Sequence, residues 1–208
     1  MRMPGTRRMA IAAALLAVLP FLQVRAADTA EPTVRQIQTF YAALVDTMKR
    51  GKELGIQGRY KQLTSVVEAT FDLPAMARLS VGPAWNMLSE MDHMAITEAF
   101  TRMTIANYAK NFATFAGEQF ITDPNVKTRN EDKIVETKLI GSDKATTPFN
   151  YRMHMVGDSW KIVDVYLNGY VSQLALRRSD FSTTIASSGA AGLVKKLNDL
   201  VDKQMAGG

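Results

Sequence analysis

Between Thr147 and Phe181 the chain alternates apolar with polar positions and then changes period. Phe149, Tyr151, Met153 and Met155 are apolar, and Asn150, Arg152 and His154 between them are polar. A period of two marks a half-buried strand. Gly157-Asp158 supplies a two-residue turn with glycine first, which suits type II′. That turn opposes Met155 to Trp160, Met153 to Ile162, Tyr151 to Asp164 and Phe149 to Tyr166, so the apolar face carries one carboxylate. After Gly169 the period becomes about 3.6, and a helix leaves the sheet.

Elsewhere helical spacing dominates. Val34, Ile37, Tyr41, Leu44, Val45 and Met48 make an amphipathic helix from Thr33 to near Gly51. Gly51, Gly55 and Gly58 punctuate a loop, and a second helix follows over 59–70. Asp72 caps a short third helix, with Pro74 in its first turn and Gly82 past its end. Ser89 to Asp92 resembles a capping box and opens the longest helix, 90–115. Its two apolar stripes, Ile96, Phe100 and Met103 beside Ile105, Tyr108, Phe112 and Phe115, are wider than one packing neighbour requires. Strands are predicted at 118–122, 133–140, 147–156 and 159–167, and helices at 170–187 and 190–205. Short links between successive strands favour an antiparallel meander. The expectation is an α+β fold, an antiparallel sheet of about four strands with helices on one face.

The first 26 residues stand apart. Arg2, Arg7 and Arg8 precede the apolar run Met9–Leu22, and Val24-Arg25-Ala26 offers small residues to a signal peptidase. This is the pattern of a cleaved secretory signal peptide, leaving residues 27–208 as a single domain. The leader takes four of the 25 basic residues and none of the 20 acidic ones, so the remainder carries 21 minus 20, or +1. Apparent basicity thus belongs to the leader and gives no support for nucleic-acid binding. Cysteine is absent, so an exported fold cannot rely on disulfides. No second apolar run reaches membrane-spanning length.

Candidate chemistry is sparse. The two histidines, His93 and His154, fall in a first helical turn and on a polar strand face, so both are expected to face solvent rather than catalyse. No Asp/Glu cluster has metal-ligand spacing, and no glycine-rich phosphate loop follows a strand. Asp164 and Arg178 are charged residues at positions the patterns would bury, and a buried lone charge costs several kcal/mol. They are expected to pair with each other or with a helix end; the alternatives are that Arg178 meets an anionic headgroup, or that a register shift moves Asp164 to solvent. The nine methionines beyond the leader suit ordinary core filling or an adaptable apolar surface.

Several motifs in order resemble one family. Phe71-Asp72-Leu73, then Arg78 to Trp85, the long helix ending in Tyr108-Ala109, and the pair Tyr151-Arg152 with Trp160 to Val165 resemble the MlaC/toluene-tolerance family, as does Arg178-Ser179-Asp180-Phe181. Leu54 to Tyr60, Asp164 to Gly169 and Ser172 to Ser179 resemble its hopanoid-associated HpnM branch, although Arg177 stands where the family usually has Tyr. The resemblance implies a periplasmic, non-enzymatic lipid carrier with no cofactor. Such a carrier holds phospholipid or hopanoid-type lipid in an apolar cavity between sheet and helices. It exchanges this cargo with inner- and outer-membrane complexes, here as a monomer. Cavity-lining candidates are Phe71, Met76, Leu79, Trp85, Phe100, Met103, Tyr108, Phe112, Tyr151, Met153, Ile162 and Phe181. Two rivals are an enzyme on an NTF2-like scaffold using Asp164 and Tyr151 as acid and base, and an interaction module with a filled core.

Overall fold

The computed structural model describes residues 31–206; the expected leader lies outside them. Five helices and six short strands alternate in blocks: α1 Pro32–Lys49, α2 Gly51–Thr70, α3 Leu73–Val81 and α4 Glu90–Asn111, then β1 Gln119–Thr122, β2 Lys127–Arg129, β3 Asp132–Ile140, β4 Thr146–Val156, β5 Ser159–Leu167 and β6 Val171–Ser172, then α5 Gln173–Ala206. The sheet is antiparallel in the order β1-β3-β4-β5-β6, with β2 beside β1 on the same edge of β3. It is an α+β fold with two strands beyond the four expected. β2 carries only Lys127, Thr128 and Arg129, all exposed, and β6 is two residues long, so neither has an apolar period to reveal it.

The β4–β5 hairpin turns at Gly157-Asp158 as expected, with Gly157 at φ 57°. Register holds for Met155↔Trp160 and Met153↔Ile162, then slips at a bulge: Arg152 faces Asp164, Tyr151 faces Val165, and Phe149 faces Leu167. Val163 is the extra residue. A one-residue slip exchanges the faces of everything beyond it. Val165 and Leu167 therefore join Tyr151 and Phe149 on the inner face, while Asp164 and Tyr166 leave the row they were expected to occupy. The rows Val135–Tyr151–Val165 and Thr137–Phe149–Leu167 then run straight across β3, β4 and β5.

Glycine punctuation between 51 and 58 is helix rather than loop. α2 starts at Gly51 and absorbs a kink at Gly55 (φ 58°, ψ −177°). The buried Arg59 holds this start down: its Nε donates to the Ala109 carbonyl at 2.8 Å, and its Nη1 to the Gly51 carbonyl at 2.8 Å. Gly51 lies so near the end of α4 that a Cβ there would sit 1.7 Å from the Ala113 oxygen.

α4 is the central helix, packed by α2, α3 and α5, and this explains its wide apolar face. It ends at Asn111, short of the expected 115. The α2–α3 joint is stitched to β5, because the Asp72 amide donates to the Ile162 carbonyl at 2.9 Å. Asp72 also caps α3 through the Ala75 amide and receives His154 Nε2 at 2.7 Å. His93 stacks on Trp85, with ring centroids 4.2 Å apart. Both histidines, expected in solvent, are thus held by the fold. Met87, Met91 and Met94 are exposed rather than filling the core.

The helices expected at 170–187 and 190–205 form one element, α5, broken at Gly189 (φ 66°, ψ −171°). That backbone region is open essentially only to glycine. A Cβ there would meet nothing within 4 Å, so a penalty on substitution would come from the backbone alone. Gly189→Ala is expected to lower unfolding free energy by about 1–3 kcal/mol, measured by denaturant titration; a neutral result would mean the helix runs straight.

Candidate functional site

A cavity opens between the inner sheet face and helices α4 and α5. Its volume is about 260 Å³. The sheet supplies Phe149 and Tyr151 from β4 and Val165 and Leu167 from β5. α4 supplies Phe100, Thr104, Asn107, Tyr108 and Asn111, followed by Phe112; α5 supplies Gln173 and Arg177; Phe71 and Met76 close one side. Asn111 is exposed and marks the open rim, whereas Phe71, Met76, Phe100, Thr104 and Tyr151 are buried and form the interior.

Periodicity explains the lining. Positions 104, 107, 108 and 111 of α4 follow the i, i+3, i+4, i+7 spacing of one helical face, and Gln173 and Arg177 are one turn apart on α5. Behind the cavity, aromatic rings pack edge to face: Phe40 meets Phe71 and Tyr108, each at a centroid distance of 5.3 Å. Tyr108 stacks on Phe112 at 5.6 Å.

Of the expected lining residues, the structure brings Phe71, Met76, Phe100, Tyr108, Phe112 and Tyr151 together around this cavity. Met103, Met153, Ile162 and Phe181 are closed core instead, each 2% exposed or less. Leu79 and Trp85 are half-buried beside the core, away from the cavity. Val165 and Leu167 were missed because the bulge was invisible. Thr104, Asn107, Asn111, Gln173 and Arg177 also line the cavity without being among the candidates, since they carry no apolar signal; the helical spacing they share is the signal that could have found them.

Asp164 and Arg178 do not pair with each other. Asp164, 3% exposed, accepts from the Val165 and Leu174 amides at 2.8 and 3.2 Å and from the Ser172 hydroxyl at 2.6 Å. Ser172 Oγ in turn accepts from the Ala175 amide at 3.0 Å. Two free amides at the start of α5 are thereby satisfied, and the helix dipole favours the carboxylate there. Arg178 is exposed rather than buried. Its Nε donates to the Leu79 carbonyl at 3.0 Å, near the end of α3, while its stem lies against Gly82. Each charge serves a helix end. Asp164 does not border the cavity and does not face Tyr151, so the acid–base pair of the enzyme reading is not assembled.

The phenols that line the cavity, Tyr108 and Tyr151, and Tyr41 behind them are held neutral. The hydroxyls of Thr137, Tyr41 and Tyr151 form a buried chain with contacts of 2.6 and 3.1 Å. Burial pushes Tyr41 up to about 12 and drives Tyr108 and Tyr151 still further above the ordinary phenol range. Among the described residues, no group of three or more His, Asp or Glu side chains could hold a metal ion, and no helix is long and apolar enough to cross a membrane.

A family model described as MlaC protein matches residues 38–199. The chain belongs to the MlaC family. No curated protein matches the sequence significantly. Among solved structures, the fold is similar to a phospholipid-binding protein from Ralstonia solanacearum, determined in complex with a phospholipid. The TM-score is 0.73 at 16% sequence identity, covering 84% of this chain and 99% of that one.

Two outcomes are expected. Asp164→Ala strands the Leu174 amide and the Ser172 hydroxyl, so it should cost about 2–4 kcal/mol and lower Tm by roughly 4–16 °C in a thermal melt. The tyrosines give a pH dependence with a definite sign. A phenol whose folded pKa is raised contributes stability that is whole below the unfolded value and lost as pH rises past it. Stability should therefore decline from pH 10 upward, with the Tyr41 share gone beyond about 12. A phenolate absorbance titration checks this; all tyrosines ionising together near pH 10 in the folded protein would refute it.

Proposed function

We propose that the protein is a lipid carrier that receives apolar chains in the cavity between the sheet and helices α4 and α5. The observation carrying this reading is the cavity itself: an open, mostly apolar chamber in an MlaC-family chain, lined by aromatic and aliphatic side chains and without an assembled acid–base pair. The phospholipid held by the Ralstonia solanacearum protein of similar fold supports the same cargo class. Burying acyl surface yields about 25 cal/mol per Å², so a soluble chamber competes with a bilayer by matching that burial, and no chemical step is needed. A volume of about 260 Å³ lies near the lower end of the roughly 300–1,000 Å³ usual for ligand pockets. A two-chain cargo therefore parts α5 from α4 as it enters.

In this reading the chain is exported by its leader, works in the periplasm as a monomeric single domain, and passes phospholipid or hopanoid-type lipid between inner- and outer-membrane complexes. The supports are the basic-apolar pattern of residues 1–26, the family membership and the branch-like motifs around Gly55 and Ser172.

The test is direct. The exported chain, purified without detergent and extracted with organic solvent, is expected to release phospholipid or hopanoid in near-stoichiometric amount by mass spectrometry. Protein that emerges empty and also takes up no added lipid would sink the carrier reading. Thr104→Phe, which projects a ring into the chamber, is expected to cut bound lipid sharply while the protein still melts cooperatively.

A further inference from the structure

Arg177 is the feature of the cavity that burial of hydrocarbon does not call for. Its Nη1 points at the Met103 sulfur, 3.2 Å away, and its Cζ lies 5.7 Å from the centre of the Phe100 ring. Met103 and Phe100 are each 1% exposed, so the guanidinium lies against the inner wall, while Arg177 itself stays partly exposed on the open cavity. A thioether is a weak acceptor, and a phenyl face is worth about 1 kcal/mol to a cation. Among the described residues no carboxylate stands within ion-pairing distance of it.

The acid whose field it feels is Asp164, and both oxygens of that carboxylate already serve the start of α5. Burial pushes the Arg177 pKa down, yet a guanidinium stays protonated. The cavity therefore holds a fixed positive charge whose other N–H groups bond to nothing in the described protein. Covering such a charge with hydrocarbon and giving it no partner would cost several kcal/mol. Neutral polar groups stand nearby on the same lining: Asn111, with no bond of its own, and Gln173, which uses only its amide nitrogen, on the Val171 carbonyl.

We propose that Arg177 is the specificity-determining residue of the cavity: the cargo carries an anionic group, a phosphate or carboxylate, that enters the chamber and is bound by this guanidinium. The proposal rests on the carrier reading and narrows it. Arg matches the planar, two-oxygen geometry of such groups with paired N–H donors. The apolar tail then runs along Phe71, Phe149 and Tyr151, and Asn111 and Gln173 flank the head. A neutral lipid leaves the charge dehydrated and unpaired, and a site built around a buried polar group rejects ligands that fail to satisfy it. Of the two cargo classes above, phospholipid is favoured over an uncharged polycyclic lipid.

The experiment compares phosphatidate with diacylglycerol of identical chains, each competing with a fluorescent lipid for delipidated protein. Phosphatidate is expected to bind at least about tenfold more tightly, the worth of one charge-assisted hydrogen bond. In Arg177→Met the ratio should fall toward one. In Arg177→Lys, which keeps charge without the fork, a reduced preference should survive, and this variant carries the test if the methionine form does not fold. Equal binding of the two lipids by the unaltered protein, or a preference that survives Arg177→Met, would overturn the assignment. Displacement by inorganic phosphate as effective as by phosphatidate would mark a free-anion site and overturn the lipid assignment too. Failure to bind either lipid would instead bring down the carrier reading.

Discussion

The carboxylate of Asp164 anchors the arrangement on which the cavity depends. It sits at the bulged turn of β5, between the point where Phe71 bridges Ile162 and the point where β6 pairs with Tyr166 and Leu167. Through the Ser172 hydroxyl and the Leu174 amide it fixes where α5 begins. A helix rising about 1.5 Å per residue then places Gln173 and Arg177 at the cavity and Phe181 in the core. One apparent irregularity, an acid in an apolar strand, is thus the joint between the sheet and the α5 wall of the chamber. The bulge and the acid are a single device. Without Val163 as the extra residue, Asp164 would point at the cargo space and Val165 would point away from it.

Polar atoms near the chamber are kept from competing with an apolar cargo. The Tyr151 hydroxyl turns to Tyr41, which turns to Thr137, and Thr137 bonds to the Phe149 carbonyl. Thr104 bonds back to the Phe100 carbonyl within its own helix. Asn107 is engaged by Gln204 from the far end of α5. With these groups satisfied, the rings of Phe71, Phe149 and Tyr151 present hydrocarbon to the interior. Arg177 is the charged lining group that this network leaves out, beside the unbonded side chain of Asn111.

Much of the fold was legible in the residues because period, caps and turn chemistry agree. The alternation from Phe149 to Met155 and the Gly157-Asp158 turn located the hairpin, and Asp72 and Ser89 marked helix starts. What escaped had a physical reason. A bulge inside the run Ile162-Val163-Asp164 leaves no pattern, since buried residues on both sides of it look continuous. Gly51 to Gly58 looked like a loop because glycine disfavours helix, yet Arg59 clamps that turn to the end of α4 through two carbonyls. The site was legible only in part. Phe71, Phe100 and Tyr108 border the cavity, while Met153, Ile162 and Phe181 fill the core with the same chemistry, so residue type could not divide wall from filling.

Arg177 and Arg178 show why geometry decides what composition cannot. They are adjacent, identical and on one helix, but consecutive residues of an α-helix point about 100° apart. Arg178 turns outward, covers Gly82 and serves the Leu79 carbonyl near the end of α3, where a cation is favoured and well hydrated. Arg177 turns toward the cavity, to Phe100 and Met103, where no acid meets it. The first charge completes the fold with groups the chain already has. The second has only a thioether and a ring face from the chain, and the cavity that opens beside it gives the proposed anionic partner a place to sit.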